Sequence, residues 1–476
     1  MAVEQEETQV MVVGAGPAGL TAAITLARAG VDVMVIERRR ELSSLPRATT
    51  VSIRSMEIFR AWGLEEEIRA LTPEVEWQGL ISETLSSADR GEIWPTGIPT
   101  LEQSAVISPT IPVCAAQDEL EPILLEHLLA QPGAQVSLGT ELIGLDPAGD
   151  EITATVMAGD RMRRVRASHL IAADGAHSVT RRLLGIGMDV GTAEAARSVL
   201  FRAPLWEVVG ERRYGIYSVT HPEAPATMLP AGGDRWLHGT WIDPEDPGEM
   251  PARDELIRQI RVGAGVPDLP VEILRTGTFT FAAGMADSFR RGNAFLVGDA
   301  AHRVTPRGGT GMNMAIHSAF DLGWKLSWVL RGWAPRALLD SYEGERVPAV
   351  RHNVIRSLDP DGSTRSTDSE VHVDLGGRIP HLWSEHEGER RSTIDLLADG
   401  MTLLTGPDGE WTDEPARPGS PPLVVRSLDE VAARGLGLLP GAAMLVRPDG
   451  KQEAWLREPG PDRGFASPPP SALALS

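Results

Sequence analysis

The chain contains 476 residues, a length that predicts two or three domains instead of a single core. With 42% hydrophobic residues and no apolar run of about 18 residues, it is expected to be a soluble globular protein without a membrane span. Its formal net charge of −21 opposes binding to nucleic acid or to an anionic membrane, because phosphates would be repelled.

The cysteine content and the N-terminus add two further expectations. The only cysteine, Cys114, excludes an internal disulfide and a thiolate zinc cluster. The acidic N-terminal sequence lacks the basic and apolar regions of a signal peptide. We therefore expect a cytoplasmic protein. The spacing of the histidines does not indicate a metal site.

A glycine-rich turn near the N-terminus is the most informative motif of the chain. The sequence GAGPAG at Gly14–Gly19 follows an apolar run at 10–13 and precedes a helical pattern. A second apolar run at 33–36 ends in Glu37. This order of strand, glycine turn, helix, strand and acid predicts a dinucleotide site, with the pyrophosphate at the helix N-terminus and the acid on a ribose hydroxyl.

Two later turns each place an aspartate directly after a buried strand. Asp174 follows the apolar run at 169–173, and Asp299 follows the run at 293–297. Ligands of open α/β folds bind at the carboxyl ends of strands, where an aspartate accepts from polyol hydroxyls. Each turn is a weak signal alone, but three such elements in order reinforce one another.

The loop after Asp299 contains a fourth cluster of glycines. Pro306, Gly308, Gly309 and Gly311 precede a long apolar helix that is predicted to run from about 311 to 331. Free N–H groups at such a helix start stabilise negative charge on a ligand, and the proline stiffens the loop.

The middle and the end of the chain have different patterns. Strands with a period of two between about 190 and 285 predict an antiparallel sheet with one face available to cover a ligand. The polar segment 359–369 is expected to be a linker, and a smaller unit at 370–458 follows it. The proline-rich tail at 459–476 is expected to be flexible.

At these residues the chain resembles the group A flavoprotein monooxygenases of the para-hydroxybenzoate hydroxylase type. It is most similar to the branch of phenol-hydroxylase-like enzymes and aromatic polyketide hydroxylases. The resemblance covers about residues 8 to 355 and rests on the three strand-end motifs in order. Further matching segments are Pro46–Ala48, Gln117–Leu120, Asp321–Lys325 and, in the C-terminal unit, Leu445–Gly450.

The resemblance implies an α/β fold class. It consists of a Rossmann-like FAD-binding fold of the glutathione reductase type, an antiparallel β-sheet substrate domain and a C-terminal thioredoxin-like domain. The C-terminal domain has no cysteine and therefore no thiol redox chemistry. The implied bounds are 1–75, 113–190 and 286–358 for the FAD domain, 76–112 and 191–285 for the substrate domain, and 370–458 for the C-terminal domain.

The resemblance also implies the activity. FAD is reduced by NADPH or NADH and reacts with O₂, and a hydroperoxide at flavin carbon C4a hydroxylates a phenolic or polyketide aromatic ring. One glycine turn serves FAD alone, so the nicotinamide is expected to bind transiently. The residues carried over as cofactor contacts are Gly14, Gly16, Pro17, Ala18, Gly19, Glu37, Arg38, Arg47, Gln117, Asp174, Asp299, Pro306, Gly308, Gly309, Gly311, Met312 and Asn313.

No catalytic side chain is predicted, because the flavin carries the chemistry. Tyr214, Tyr217, His238 and Trp241 lie on sheet segments expected to face the substrate, although sheet packing also explains each of them. Strand alternation places His238 and Trp241 on opposite faces unless a bulge intervenes.

Several alternatives stay open at the level of sequence. The same scaffold supports Baeyer–Villiger oxygenation or epoxidation, and it also supports antibiotic-inactivating hydroxylation. A non-catalytic prenyl-protein binder of the GDI type shares the fold but is expected to lack the Gly298–Asp299 turn and the loop at 306–313. The expected partners are a small aromatic substrate and a second copy of the chain.

Overall fold

The computed structural model describes residues 4–146, 149, 151–191, 194–246 and 248–457. The predicted flexible tail at 459–476 lies outside these residues. The strands are β1 (Glu4–Val13), β2 (Val33–Glu37), β3 (Thr50–Val51), β4 (Glu76–Ser82), β5 (Glu92–Pro95), β6 (Val113–Cys114), β7 (Ala134–Leu138), β8 (Thr140–Asp146), β9 (Ile152–Ala158), β10 (Arg161–Ala172), β11 (Met188–Val190), β12 (Glu194–Arg202), β13 (Tyr214–Val219), β14 (Ala226–Pro230), β15 (Arg235–Ile242), β16 (Glu272–Phe281), β17 (Gly284–Ala286), β18 (Arg290–Arg291), β19 (Ala294–Leu296), β20 (His302–Arg303), β21 (Trp383–His386), β22 (Glu389–Ser392), β23 (Met401–Thr405), β24 (Leu423–Ser427), β25 (Ala442–Val446) and β26 (Gln452–Arg457).

The helices separate these strands along the chain. They are α1 (Pro17–Arg28), α2 (Ile53–Ala61), α3 (Glu65–Arg69), α4 (Leu101–Ile107), α5 (Gln117–Leu129), α6 (Val179–Leu183), α7 (Leu205–Val209), α8 (Arg253–Ala264), α9 (Gly311–Leu330), α10 (Ser341–Leu358), α11 (Thr367–Leu375) and α12 (Glu430–Gly435). No helix in the described ranges is long and apolar enough to cross a membrane.

An eight-stranded sheet forms the centre of the first unit, with the path β18-β19-β10-β1-β2-β7, and β9 pairs with β10 and β8 with β9 off this path. The strands β1, β2, β7, β10 and β19 are parallel, so their carboxyl ends meet at one edge. Val10, Met11 and Val12 are fully buried, as expected for a strand covered on both faces. The apolar helices α1 and α9 pack together within the same core.

The second sheet has seven strands in the order β16-β12-β15-β14-β13-β4-β5. The strands between residues 194 and 281 pair antiparallel, as predicted, and β4 from the earlier segment adds one parallel pair with β13. One face packs on α8 through a core that contains Tyr217, Trp236, Leu256 and Ile260. The other face is available to cover the first unit.

The C-terminal unit contains the four-stranded sheet β24-β23-β25-β26 and helix α12. The expected linker at 359–369 differs from the structure at its end, because α11 begins at Thr367. A cluster that contains Trp324 and Trp328 of α9 and Leu403 and Leu445 of the C-terminal sheet joins the two units.

Buried ion pairs strengthen this contact between α9, α10 and the C-terminal unit. The fully buried Lys325 ammonium lies 2.9 Å from Asp321 Oδ2 and 3.1 Å from Glu345 Oε1. On the other side, Arg447 Nη2 lies 2.7 Å and Lys451 Nζ 2.6 Å from Glu345 Oε2. The pKa of Glu345 is lowered because hydrogen bonding from Arg447 and the charges of Lys325, Arg447 and Lys451 outweigh burial. We call these residues, with Asp449, the charge cluster.

Cys114 ends the short strand β6 and is fully enclosed. Its Sγ donates to the Pro230 carbonyl at 3.6 Å, and the side chain is only 2% exposed. Burial raises the pKa of the Cys114 thiol to about 12, so the thiol stays protonated in the folded protein.

Candidate functional site

The glycine turn between β1 and α1 has three glycines with different surroundings. Gly14 has a φ of 108°, and a Cβ there would collide with the Ala173 carbonyl. A Cβ on Gly19 would collide with the backbone of Gly14. A Cβ on Gly16 would meet only Glu121 Oε1, at 4.0 Å. Gly14 and Gly19 therefore allow tight packing of the turn, whereas Gly16 leaves open space in front of the α1 N-terminus. We call this space, between the glycine turn and Asp299, the cleft.

Glu37 lies at the carboxyl end of β2, next to this turn. Its Oε2 accepts from the Ala15 N–H at 3.1 Å, and its Oε1 accepts from the Arg39 N–H at 2.9 Å. The carboxylate thus fixes the turn from the side. The neighbouring Arg38 is exposed.

The first turn of α5 lies beside the same cleft. Gln117 Nε2 donates to Glu121 Oε1 at 2.6 Å, and Glu121 is buried. Burial raises the pKa of Glu121, although Gln117, a backbone contact and the charge of Arg47 lower it. Arg47 itself is exposed at the rim.

Asp174 lies directly after β10, and its carboxylate is used within its own loop. One oxygen accepts from the Ser178 hydroxyl, and Oδ2 accepts from the N–H and the hydroxyl of Thr180, each at 2.9 Å. Arg181 Nη1 of α6 then donates to the Ala300 carbonyl at 3.0 Å. Asp174 therefore shapes this turn and connects it to the turn at Asp299.

Asp299 follows β19 and lies near the first turn of α1, since a Cβ on the preceding Gly298 would approach Ala18 Cβ to 2.9 Å. The Asp299 side chain is exposed to solvent, but many protein atoms lie around its carboxyl group. Burial raises the pKa of Asp299, and the charges of Arg303 and Arg47 act in the opposite direction. The carboxylate has no protein hydrogen bond among the described residues, so its oxygens are available to a ligand.

The loop at 304–310 leads into α9, whose first turn leaves backbone N–H groups without helical partners. Pro306 and Gly309 are exposed, and Gly308 and Gly309 both have positive φ. Asn313 holds this helix start: its Oδ1 accepts from the Ser52 N–H and the Ser55 hydroxyl at 2.8 and 2.9 Å. The amide of Asn313 is therefore fully used by protein.

Gly311 and Met312 complete the helix start. A Cβ on Gly311 would approach Val304 Cγ2 to 3.2 Å, so a side chain there would press on the loop. Met312 is buried in the core of the first unit. Pro17 and Ala18 likewise lie in the first turn of α1, where proline needs no N–H partner.

Three of the four residues expected to face the substrate point away from the cleft. Tyr217 is fully buried against α8, and its hydroxyl donates to the Arg212 carbonyl at 2.7 Å. Tyr214 belongs to the same core. His238 pairs with Val199 and Met228 on that face, and burial lowers its pKa to about 4. The structure therefore shows core packing for these side chains, and Tyr214 and Tyr217 share the core although they are three positions apart because the register of β13 shifts between Tyr214 and Ile216.

Trp241 lies on the other face, and 52% of its surface is exposed. The guanidinium of Arg307, from the loop before α9, lies 5.0 Å from its ring centre and also pairs with Glu194. Phe281 contacts Trp241 edge-on at 6.2 Å. This face therefore presents aromatic surface beside the glycine loop.

Sequence reasoning missed a polar pocket behind that loop. Gly308, Thr310 and His317 border it, together with Arg346 of α10 and Asp374 of α11. His317 carried a usable signal, since it lies one helical turn after Asn313. Arg346 carried none, because it occurs in an ordinary polar helix.

Comparison with known proteins agrees with this geometry. An FAD binding domain model matches residues 7–357, and an aromatic-ring hydroxylase C-terminal model matches residues 372–466. The chain is 34% identical to a tetracenomycin A2 monooxygenase-dioxygenase of Streptomyces glaucescens, over 94% of this chain and 92% of that protein. It is also 34% identical to an aklavinone 12-hydroxylase of Streptomyces peucetius, over 89% and 96%.

Solved structures extend the agreement to three dimensions. A ternary complex of aklavinone-11 hydroxylase with FAD and aklavinone superposes with a TM-score of 0.82 at 29% identity, covering 96% of this chain and 97% of that one. The flavin-dependent monooxygenase PieE, in complex with FAD and substrate, also has a TM-score of 0.82, at 25% identity and with 95% and 96% covered.

The fold and the cleft are typical of flavoproteins of the dinucleotide-binding α/β class. The chain belongs to the family of FAD-binding aromatic-ring hydroxylases, and it is an FAD-dependent monooxygenase that uses NAD(P)H and O₂. The family, fold class, activity and cofactors predicted from the sequence are thereby confirmed.

Proposed function

We propose that this monooxygenase hydroxylates a polycyclic aromatic polyketide, with FAD held in the cleft between the glycine turn and Asp299. The open space in front of Gly16 is the observation that carries the cofactor assignment, because the other two glycines of the turn have packing reasons of their own. The aromatic polyketide hydroxylases among the relatives favour this substrate class.

The cleft has the donors and acceptors that FAD requires. We assign the pyrophosphate to the α1 N-terminus behind Gly16, a ribose hydroxyl to Glu37 and a ribityl hydroxyl to Asp299. The remaining predicted contacts stay proposals: Gly14, Pro17, Ala18, Gly19, Arg38, Arg47, Gln117, Asp174, Pro306, Gly308, Gly309, Gly311, Met312 and Asn313. Of these, Asp174 and the Asn313 side chain act by shaping the site, since protein groups already occupy them.

Bound FAD would accept electrons from NAD(P)H and would supply the chemistry that transfers one oxygen atom from O₂ to the substrate. The protein contributes a fixed frame and a water-poor cavity. N–H groups at the start of α9 face the loop at 308–310 and stabilise negative charge on a ring that lies there. The Arg307–Trp241 contact connects this loop to the sheet that covers it.

The substrate is assigned to the face of the seven-stranded sheet that carries Trp241 and Phe281. Exposed aromatic surface favours a flat, apolar ring system, because stacking and burial both stabilise it there. We further propose that the enzyme acts on a small molecule in the cytoplasm. We also propose that it does not bind nucleic acid, in agreement with its net charge of −21. A homodimer stays a prediction that sedimentation tests.

The test combines a spectrum with turnover. Purified protein is expected to show an oxidised flavin band near about 450 nm, and NADPH oxidation is expected to rise with aromatic polyketides but not with reduced, non-planar analogues. NMR of the product distinguishes a ring hydroxyl from an inserted or epoxide oxygen. A protein that cannot be loaded with FAD contradicts the proposal, and so does a product oxygenated beside a ketone.

A further inference from the structure

The polar pocket behind the glycine loop contains an arginine, Arg346, that has no acidic partner among the described residues. The pocket offers about 50 Å³ between the loop at 308–310, α9, α10 and α11. A water-sized group needs roughly 10–15 Å³ of such space, so a compact polar group fits and a fused ring system does not.

Arg346 is only 8% exposed and lines this pocket. Its Nε donates to the Ser318 hydroxyl at 3.3 Å. Across the described ranges, no carboxylate oxygen lies within 4.0 Å of its guanidinium, so both terminal nitrogens lack an ionic partner. The nearby Arg356 differs, because it lies 3.1 Å from Glu370 Oε2. A buried cation without a counter-charge is costly unless an anion joins it.

A second donor faces the same pocket without a partner. The Thr310 hydroxyl is buried and has no hydrogen bond to the described part of the chain. His317 is a neutral neighbour, since burial and the charges of Arg346 and Arg54 hold its pKa well below its usual range. Its Nε2 lies 3.1 Å from the Ser55 hydroxyl.

The two acids at the pocket are already engaged. Glu370 binds Arg356 and lies 2.8 Å from His352 Nε2. Asp374 Oδ2 accepts from the Arg54 N–H at 3.2 Å, and burial raises the pKa of Asp374 although the contacts to Ser52 and Arg54 lower it. Arg346 is therefore the pocket arginine that no carboxylate of the described residues contacts within 4.0 Å, since Glu370 pairs with Arg356 and Asp374 bonds to the Arg54 N–H.

We propose that Arg346 and the Thr310 hydroxyl bind an anionic oxygen, a carboxylate or an ionised phenol, carried by the aromatic substrate. This inference rests on the proposed function, because the loop that borders the pocket is the loop assigned to the flavin ring. The anionic oxygen enters the pocket, and the ring system stays outside it, towards the sheet. Arg346 then selects for ionisable ring substituents.

The test uses two matched pairs of probes. 2-Naphthoate is compared with its neutral isostere 2-naphthamide, and 4-nitrophenolate in mildly alkaline buffer is compared with nitrobenzene. Dissociation constants come from the perturbation of the flavin spectrum of the holoenzyme. We expect the anion of at least one pair to bind roughly tenfold to hundredfold tighter than its neutral partner, and the responding pair identifies the group.

Variants test whether Arg346 causes the preference for the anionic probe over its neutral partner. Arg346→Met is expected to remove it, and Arg346→Lys is expected to keep part of it. Arg351→Met is the matched control, since Arg351 is an exposed arginine of the same helix, and it is expected to keep the full preference. Flavin content and melting temperature of each variant identify any that fail to fold.

The wild-type comparison needs no variant and separates this inference from the proposed function. Equal binding of both members in both pairs overturns the inference, even if the enzyme oxidises NADPH with polyketides. A preference that survives in Arg346→Met also overturns it. Thermal shifts of the apoprotein with 2-naphthoate and 2-naphthamide support the site if the anion alone stabilises, even where FAD loading fails.

Discussion

The glycine turn and the Arg346 pocket, both near the proposed flavin site, are built in different ways. The turn consists of six consecutive residues, and its shape depends on the backbone. Side chains at Gly14 and Gly19 would collide with neighbouring backbone atoms. The pocket is assembled from segments near residues 50, 97, 310, 346 and 370. A site made of local backbone geometry can be recognised in a sequence, whereas a site made of distant side chains depends on the whole fold.

The largest effect is expected at Gly14. Gly14→Ala introduces a Cβ that collides with the Ala173 carbonyl at a φ of 108°, so we expect loss of bound FAD together with lower solubility. Gly16→Ala has room for its Cβ and is expected to fold but to bind FAD more weakly. Flavin absorbance after desalting and the melting temperature measure both. Equal behaviour of the two variants would contradict the distinction between packing glycine and ligand-facing glycine.

The charge cluster gives the next largest effect. Lys325→Met removes a fully buried cation and leaves Asp321 and Glu345 facing one another, which costs about 3–5 kcal/mol of stability. Urea unfolding measures this change. Lys451→Met, at the more exposed side of the cluster, is expected to cost about 1 kcal/mol. A similar loss in both variants would show that burial of the ion pair is not the determining factor.

The two faces of the seven-stranded sheet provide a matched pair of variants. Tyr217→Phe removes a hydroxyl that bonds the Arg212 carbonyl and the Tyr214 N–H, so stability should fall by about 1–3 kcal/mol with little change in substrate affinity. Trp241→Leu should keep the melting temperature and weaken the binding of a polycyclic probe. Spectral titration with an anthraquinone and thermal unfolding distinguish the two. The opposite pattern would place the substrate on the α8 side.

Near neutral pH the smallest effect is expected at His302, where the change appears only in the acid part of the pH dependence of stability. Burial and then Arg346 lower the pKa of His302 from its ordinary value of 6.5 to about 3, so the folded protein keeps the ring neutral. The contribution of His302 is therefore present above about pH 6.5 and is lost as the pH falls towards 3, at up to about 1.4 kcal/mol per pH unit.

His302→Asn is expected to flatten this acid limb of the stability profile, measured by urea midpoints in a pH series. His177→Asn changes an exposed histidine and serves as the control, which should keep the wild-type slope. A slope that is unchanged in His302→Asn would mean that the ring binds its proton equally well in the folded and unfolded states.

The sequence predicted the fold class and the FAD dependence because its motifs follow strands whose ends must meet in a parallel sheet. Glycine spacing alone indicated the turn at Gly14, and the structure adds that Gly14 and Gly19 serve packing. The side chains on the covering sheet were predicted less well. Strand phase decides which face Tyr217 and His238 occupy, and a one-residue difference in phase reverses the answer. The role of Arg346 could not be predicted from the sequence, because the tertiary structure determines whether a carboxylate lies beside it.

The buried thiol of Cys114 has a consequence for the lifetime of the enzyme. Flavin monooxygenases that turn over without oxygenating substrate release hydrogen peroxide, and peroxide attacks cysteine through its thiolate. The single cysteine of this chain is enclosed and protonated, with a pKa raised to about 12. The folded protein therefore presents no reactive sulfhydryl to its own by-product, and oxidative inactivation is left to act on methionine.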